Sequence, residues 1–376
     1  MKIELRKVSH TNKGAELMLR AMVDHYSQRP HVELTGRIQT GPRSRRTALG
    51  IRTLLYASNR WWFATTPRFF PPKPLRHLFG VVHPSEVDLV LDASGFAYGD
   101  QWGPDNALQA AAYFRYVRRH GAKVVLMPQS FGPFTRSDVQ AATKTLVAEA
   151  DIIFPRDATA MQSIEELCGQ SQRIIQSPDF TPLVHGIVPP GLVLPERAVA
   201  IVPNQKMVEM TGRKGGGYVD FVVSVIEILS GLDMQPFFLM HAVQDRQLID
   251  LINKRVPTRL PVIYEDDALL LKGIIGQCHA TMCSRFHALV SSLCQGIPSI
   301  ATGWSHKYKH LLEEYRCPDS LLEITLSRPE LQTRISKLML PEHHDQTRQT
   351  LLERASWHRH QVSDMWARVD ALSSGD

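Results

Sequence analysis

Along most of this chain a short apolar run ends in a turn rich in Gly, Asn, Ser or Pro, a helix-length segment follows, and the unit then repeats. Ile3–Val8 leads into Ser9-His10-Thr11-Asn12-Lys13-Gly14 and a segment toward Tyr26. Asp88–Asp92 leads into Ala93-Ser94-Gly95, Lys123–Met127 into Pro128-Gln129-Ser130-Phe131-Gly132-Pro133, and Asp151–Phe154 into Pro155-Arg156-Asp157. Strands that each continue into a crossover helix pair in parallel, with helices on both faces of the sheet. Their turns then fall past the carboxyl ends of the strands, where open parallel sheets bind ligands.

The series runs twice. At 376 residues the chain exceeds one ordinary core, so two domains of roughly 150 to 200 residues are expected. Pro182–Glu196, with His185-Gly186-Ile187-Val188-Pro189-Pro190-Gly191, supplies a natural connection. Beyond it Ala198–Val202 opens a second series, with further strands at Gln235–Met240, Val262–Tyr264, His279–Cys283 and Ser299–Ala301. We expect an α/β fold of two doubly wound, Rossmann-like domains, 1–190 and 191–342, facing across a cleft. A C-terminal helical segment, 343–376, packs back over them.

Within the second series, Thr281-Met282-Cys283-Ser284-Arg285-Phe286-His287-Ala288 stands out. Ser284 is a good N-cap for a helix carrying Phe286, Leu289, Val290 and Leu293 on one stripe, and Gly296 ends that helix. Arg285 and His287 then lie in its first turn, where unpaired N–H groups and the helix dipole already favour an anion. An arginine adds a fork for carboxylate or phosphate, and a histidine adds a proton carrier. The structural alternative is an arginine tying down a loop beside a histidine that caps a strand edge.

Cys168, Cys278, Cys283, Cys294 and Cys317 form no CxxC pair and no metal spacing, which suits free thiols in a reducing compartment. The start of the chain lacks a long apolar run. The most apolar region, Phe221–Met240, is broken by Glu227, Gly231, Asp233 and Pro236, so neither a secretory signal nor a membrane span is expected. A cytoplasmic protein follows. Much of the net charge of +6 arises between Thr35 and Ser85, where Arg37, Arg43, Arg45, Arg46, Arg52, Arg60, Arg68, Lys73 and Arg76 occur without an acidic residue. Trp61, Trp62, Phe63, Phe69 and Phe70 are interleaved with them. Such a mixture suits an anionic membrane surface or a nucleic-acid groove, or else aromatics that plug the core beneath solvated arginines.

With these residues laid out, the sequence resembles the polysaccharide pyruvyl transferases. The likeness rests on Asn12-Lys13-Gly14, Pro128-Gln129-Ser130-Phe131-Gly132-Pro133, Arg156-Asp157, Asp179, Ser284-Arg285-Phe286-His287-Ala288, Gly296-Ile297-Pro298 and His306-Lys307, in that order. Two departures are visible: Asp92-Ala93-Ser94-Gly95 stands where a run of glycines is common, and Phe286 where leucine is usual.

The resemblance implies a fold similar to the B-type glycosyltransferases. It implies transfer of the enolpyruvyl group of phosphoenolpyruvate onto two hydroxyls of a sugar, in a polysaccharide or its lipid-linked precursor, with release of phosphate. Arg156, Arg285, His287, Lys307 and Ser284 would bind the donor, with His287 as general acid and Arg285 stabilising charge. Asn12, Gly14, Gly95 and Gln129 would form the acceptor side. No metal or other cofactor is implied, and no nucleic acid. The resemblance has no counterpart for the basic stretch Arg37–Arg76, which its composition alone suits to an anionic membrane surface at the inner face of the membrane. Neither the acceptor sugar nor the oligomeric state is encoded in these motifs.

A nucleotide-sugar glycosyltransferase is the runner-up, with Glu265, Asp266 or Asp267 as the acidic partner of a ribose. A non-catalytic protein that binds glycans or membranes through Arg37–Arg76 is the third reading.

Overall fold

The computed structural model describes residues 1–55, 72–211, 217–303 and 305–374. It divides into two compact units, Met1–Phe180 with Gln361–Asp376, and Thr181–His360.

The first unit is built on seven strands: β1 (Lys2–Arg6), β2 (Glu33–Gly36), β3 (Arg52–Leu54), β4 (Val81–Val82), β5 (Leu89–Asp92), β6 (Lys123–Gln129) and β7 (Ile152–Pro155). All pair in parallel, in the order β4-β3-β2-β1-β5-β6-β7. Every residue of β5 is buried, as a strand covered on both faces requires. Helices Asp105–Arg118 and Ser137–Ala148 cover one face, setting Phe114, Val117, Leu146 and Val147 against Val90, Val124 and Leu126. The chain steps outward from β1 to β4 and then returns to the other side of β1 as β5. The carboxyl ends of β1 and β5 are therefore a topological switch point, where a crevice opens in folds of this kind.

The second unit has five parallel strands, β8 (Ala198–Val202), β9 (Gln235–Met240), β10 (Val262–Tyr264), β11 (Ala280–Cys283) and β12 (Ser299–Ala301), in the order β10-β9-β8-β11-β12. Side chains of β8 alternate between two cores. Val199 and Ile201 join Phe221, Val222, Val225 and Leu229 of the helix Gly217–Gly231. Ala198, Ala200 and Val202 join Leu271, Ile274 and Leu289, from helices Ala268–Gly276 and Phe286–Leu293. The switch point of this sheet lies between β8 and β11. Past the helix Phe286–Leu293 the backbone turns at Gly296 with φ +74°, and a Cβ there would meet Leu352 at 2.7 Å. Only glycine fits that turn.

The segment from Thr35 to Ser85 gives the largest departure from expectation, because it contributes β3, β4 and the end of β2. These strands are short and lack an apolar run, so the sequence offers little to mark them. Several of the arginines face inward. Arg37 pairs with the buried Glu4 at 2.9 Å and Arg76 meets Glu86, whereas Arg52 pairs with Glu33 at 3.2 Å on the surface. Arg46 is buried and donates to Ile38 O at 3.3 Å and Thr53 Oγ1 at 2.9 Å. Arg60, Arg68 and the five interleaved aromatics lie outside the described residues.

The C-terminal helix spans Pro341–Ser374. Its residues through His360 belong to the second unit, and the remainder to the first. Within the first unit Trp366 stacks on His25 with centroids 4.0 Å apart, and Asp370 accepts two bonds of 2.7 Å from Arg29.

Candidate functional site

At the β8/β11 switch point Cys283 pairs with Val202, and Ser284 N donates to Val202 O at 3.0 Å. Ser284 is fully buried. Its hydroxyl accepts from Tyr218 Oη at 2.7 Å, and its carbonyl accepts from Asn204 Nδ2 and Tyr308 Oη, each at 2.9 Å. Burial pushes the phenols of Tyr218 and Tyr308 well above their ordinary range, so both remain donors. Ser284 is thus a fixed anchor, and the expectation that it caps the following helix is corrected. Arg285 is the N-cap, in extended conformation, and its side chain makes no capping bond to the helix Phe286–Leu293. The physical reason is that Ser284 N still pairs with Val202 O of β8, which puts the helix boundary one residue later.

Arg285 sits on that helix start with its side chain 16% exposed. Its Nε and Nη2 donate to Asp245 Oδ2 and Oδ1, both at 2.7 Å. Asp245 has no exposed surface and also accepts from Gln205 N at 3.0 Å. Nη1 makes no hydrogen bond among the described residues. His287, half-buried, is the second residue of the helix, with its ring edge-on to Phe286 at 5.4 Å. Lys307 lies on the next helix, His306–Glu314, and its ammonium stands 5.1 Å from the Phe286 ring centroid. That helix, too, receives no capping bond from its N-cap, Ser305. Two helix starts, an arginine, a lysine and a histidine therefore gather past β11 and β12, an arrangement suited to an anion. Lys309 instead faces Glu313 at 3.8 Å.

In the first unit the residues expected on the acceptor side gather around the carboxyl ends of β1, β5, β6 and β7. Asn12 caps the helix Lys13–Tyr26, accepting from Gly14 N at 3.0 Å and Ala15 N at 3.4 Å. Beside it the buried Glu16 receives His10 Nδ1 and Lys13 Nζ, each at 3.0 Å. Gly95 has φ +70°, and its carbonyl accepts from Ser130 N at 3.0 Å. Gln129 is fully buried; its amide reaches Asp92 O at 3.4 Å, and its Oε1 has no hydrogen-bond partner among the described residues. Asp92 itself is paired with Arg6 at 2.8 Å, both buried.

Arg156 follows β7 and is locked in place. Nη2 donates to Ser130 Oγ at 2.9 Å and Nη1 to Asp179 Oδ2 at 3.3 Å, with the side chain 6% exposed. Ser130 Oγ passes the chain on to Asp157 Oδ2 at 3.0 Å, and Asp157 caps the helix Ala158–Cys168. The structure thus joins Gly95, Gln129 and Arg156 through Ser130. It places Arg156 in the first unit, and Ser284, Arg285, His287 and Lys307 in the second.

Three residues of the second group, Asp245, Tyr218 and Asn204, are not singled out by the sequence. Asp245, close behind β9, reads there only as an acidic helix start. Of the acids expected to serve a ribose, Asp267 caps the helix Ala268–Gly276 through Leu269 N at 2.7 Å, and Asp266 accepts from Tyr264 Oη at 3.4 Å.

Two parallel α/β units with ligand-facing turns at their switch points define a class that includes B-type glycosyltransferases and sugar-nucleotide epimerases. Solved structures bear this out for the fold. A putative UDP-N-acetylglucosamine 2-epimerase from Listeria monocytogenes superposes with a TM-score of 0.62 at 11% identity, over 100% of this chain and 97% of that one. Anabaena HepE in complex with UDP-glucose gives 0.57 at 11%, over 98% and 100%. The Neisseria meningitidis UDP-GlcNAc 2-epimerase bound to UDP-GlcNAc gives 0.56 at 8%, over 97% and 100%. A search of curated proteins finds no match. The family described as Polysaccharide pyruvyl transferase matches residues 12–306, and the chain belongs to that family.

Proposed function

We propose that this protein transfers the enolpyruvyl group of phosphoenolpyruvate onto two hydroxyls of a sugar, forming a pyruvate ketal and releasing phosphate. The observation that carries this reading is the gathering of Arg285, His287 and Lys307 at two successive helix starts, neither capped by its own N-cap side chain. A phosphate and a carboxylate on adjacent carbons need directional donors around one point, which a guanidinium, an ammonium and the helix starts supply.

In the proposed reaction His287 protonates the methylene carbon of the donor, and a sugar hydroxyl attacks the resulting oxocarbenium carbon. Phosphate then departs as a second hydroxyl closes the ring. One hydroxyl proton replaces the one His287 gave, and the other leaves with phosphate. General acid catalysis of this kind is worth about 100- to 10,000-fold in rate. Arg285 and Lys307 stabilise charge on the departing phosphate. The second unit is the donor side and the first the acceptor side. There the buried Gln129 and the Gly95 turn shape the sugar-facing surface, and Arg156 braces it through Ser130 and Asp179.

The reaction runs where phosphoenolpyruvate is made, in the cytoplasm. No helix among the described residues is long and apolar enough to cross a membrane. A membrane-surface location for a lipid-linked acceptor is supported by Leu75, Leu78 and Phe79, which are 47%, 77% and 63% exposed at the end of the acid-free segment. A second reading, transfer from a nucleotide sugar, is favoured by the fold shared with proteins solved with UDP-sugars. Thermal stabilisation separates the two. A rise in melting temperature with phosphoenolpyruvate and none with uridine diphosphate supports the first; the reverse supports the second.

A further inference from the structure

We infer that Asp245 is a positioning residue for the donor, acting through Arg285 alone. The inference rests on the reading that the Arg285 helix start binds phosphoenolpyruvate. Asp245 has no exposed surface, so an incoming anion does not touch it, and like charge would repel one if it did. What it does touch is the inner side of the guanidinium, through two bonds of 2.7 Å. Those bonds leave Nη1 as the remaining donor edge.

The carboxylate is itself fixed, because Oδ1 also receives Gln205 N at 3.0 Å from the turn after β8. Arg285 therefore reaches the ligand with its long side chain already ordered by the loops after β8 and β9, strands adjacent in the sheet. The pair has a second consequence. Its charges cancel, so attraction at this point depends on the direction of Nη1 more than on net charge. Such a site selects a donor by shape, which plain positive charge does not.

An asparagine at 245 keeps one acceptor and places an amide N–H₂ against a donor, either the guanidinium or Gln205 N. For Asp245→Asn, Kd for phosphoenolpyruvate should rise roughly ten- to a hundredfold, the worth of one lost charge-assisted bond. The effect should vanish on an Arg285→Ala background, since a residue that works only through the arginine has nothing left to hold.

An unchanged Kd in Asp245→Asn, or an equal loss with and without Arg285, would overturn the inference. If circular dichroism shows that Asp245→Asn does not fold, Arg285→Lys is the second variant. It keeps the charge but lacks the fork, so the same loss of affinity is expected, and wild-type affinity would be contrary. A wild-type protein that binds no phosphoenolpyruvate removes the donor reading and this inference together. That outcome is distinguishable because it appears before any substitution is made.

Discussion

Asp245 holds Arg285 by two bonds of 2.7 Å from 40 residues away in the chain, with the carboxylate fully buried. Arg285→Ala therefore should do more than remove a ligand contact. It leaves a carboxylate inside the protein with Gln205 N as its remaining donor among the described residues, at a cost of about 3 kcal/mol. Urea unfolding should show that loss, and Asp245→Asn on the same background should recover most of it. An Arg285→Ala protein as stable as wild type would mean that the buried pair contributes nothing.

His287 is the second residue of the same helix, half-buried with its ring edge-on to Phe286. His287→Asn should lower kcat by about 100-fold or more while weakening phosphoenolpyruvate binding by less than tenfold. Equal losses in kcat and in affinity would make the histidine a donor ligand and not the acid.

A pH effect on stability should come from the second unit. Burial lowers the pKa of His279, and His344, stacked on it at 4.0 Å, with Arg197 and Arg348 nearby, lowers it further against the opposing pull of Asp345. A depressed folded value means that the native state holds His279 neutral. Its contribution is complete above the unfolded value of about 6.5 and is lost as pH falls through the lower folded value. Urea midpoints should decline below about pH 6.5, and less so in His279→Asn. Identical pH profiles for the two proteins would assign the decline to other groups.

Membrane association, if it uses the exposed end of the basic segment, depends on Leu78 and Phe79 together with exposed cations such as Arg43 and Lys73. Leu78→Asp with Phe79→Asp should abolish sedimentation with anionic vesicles, and Lys73→Glu should weaken it most at low salt. Arg46 is unsuitable for this test because it is buried on Ile38 O and Thr53. Vesicle binding that survives the double substitution would place the contact elsewhere.

What the sequence made legible follows its runs of apolar and β-branched residues. β8, β9, β10 and β12 begin and end where their short apolar or β-branched runs do, and the helix-start position of Arg285 and His287 follows from the strand before them. The fold of both units was readable for that reason, and family resemblance agreed with it. β2, β3 and β4 were not readable, because polar residues such as Glu33, Thr35, Arg52 and Thr53 interrupt the first two and only two residues pair in the third. Ser284 looked like a cap because local chemistry favours serine there, yet its N–H still pairs with Val202 O of β8. Asp245 was hidden for the same reason. Its partner is chosen by the order of β9, β8 and β11 in the sheet, and no local spacing reports that order.

The most direct test is to incubate the protein with phosphoenolpyruvate and a panel of lipid-linked and nucleotide-linked sugars, measuring phosphate release together with the ketal methyl group by mass spectrometry. The expected result is one phosphate released per pyruvate ketal formed with at least one sugar, and neither product from Arg285→Ala. Sugar transfer from a nucleotide sugar, with phosphoenolpyruvate left intact, would contradict it.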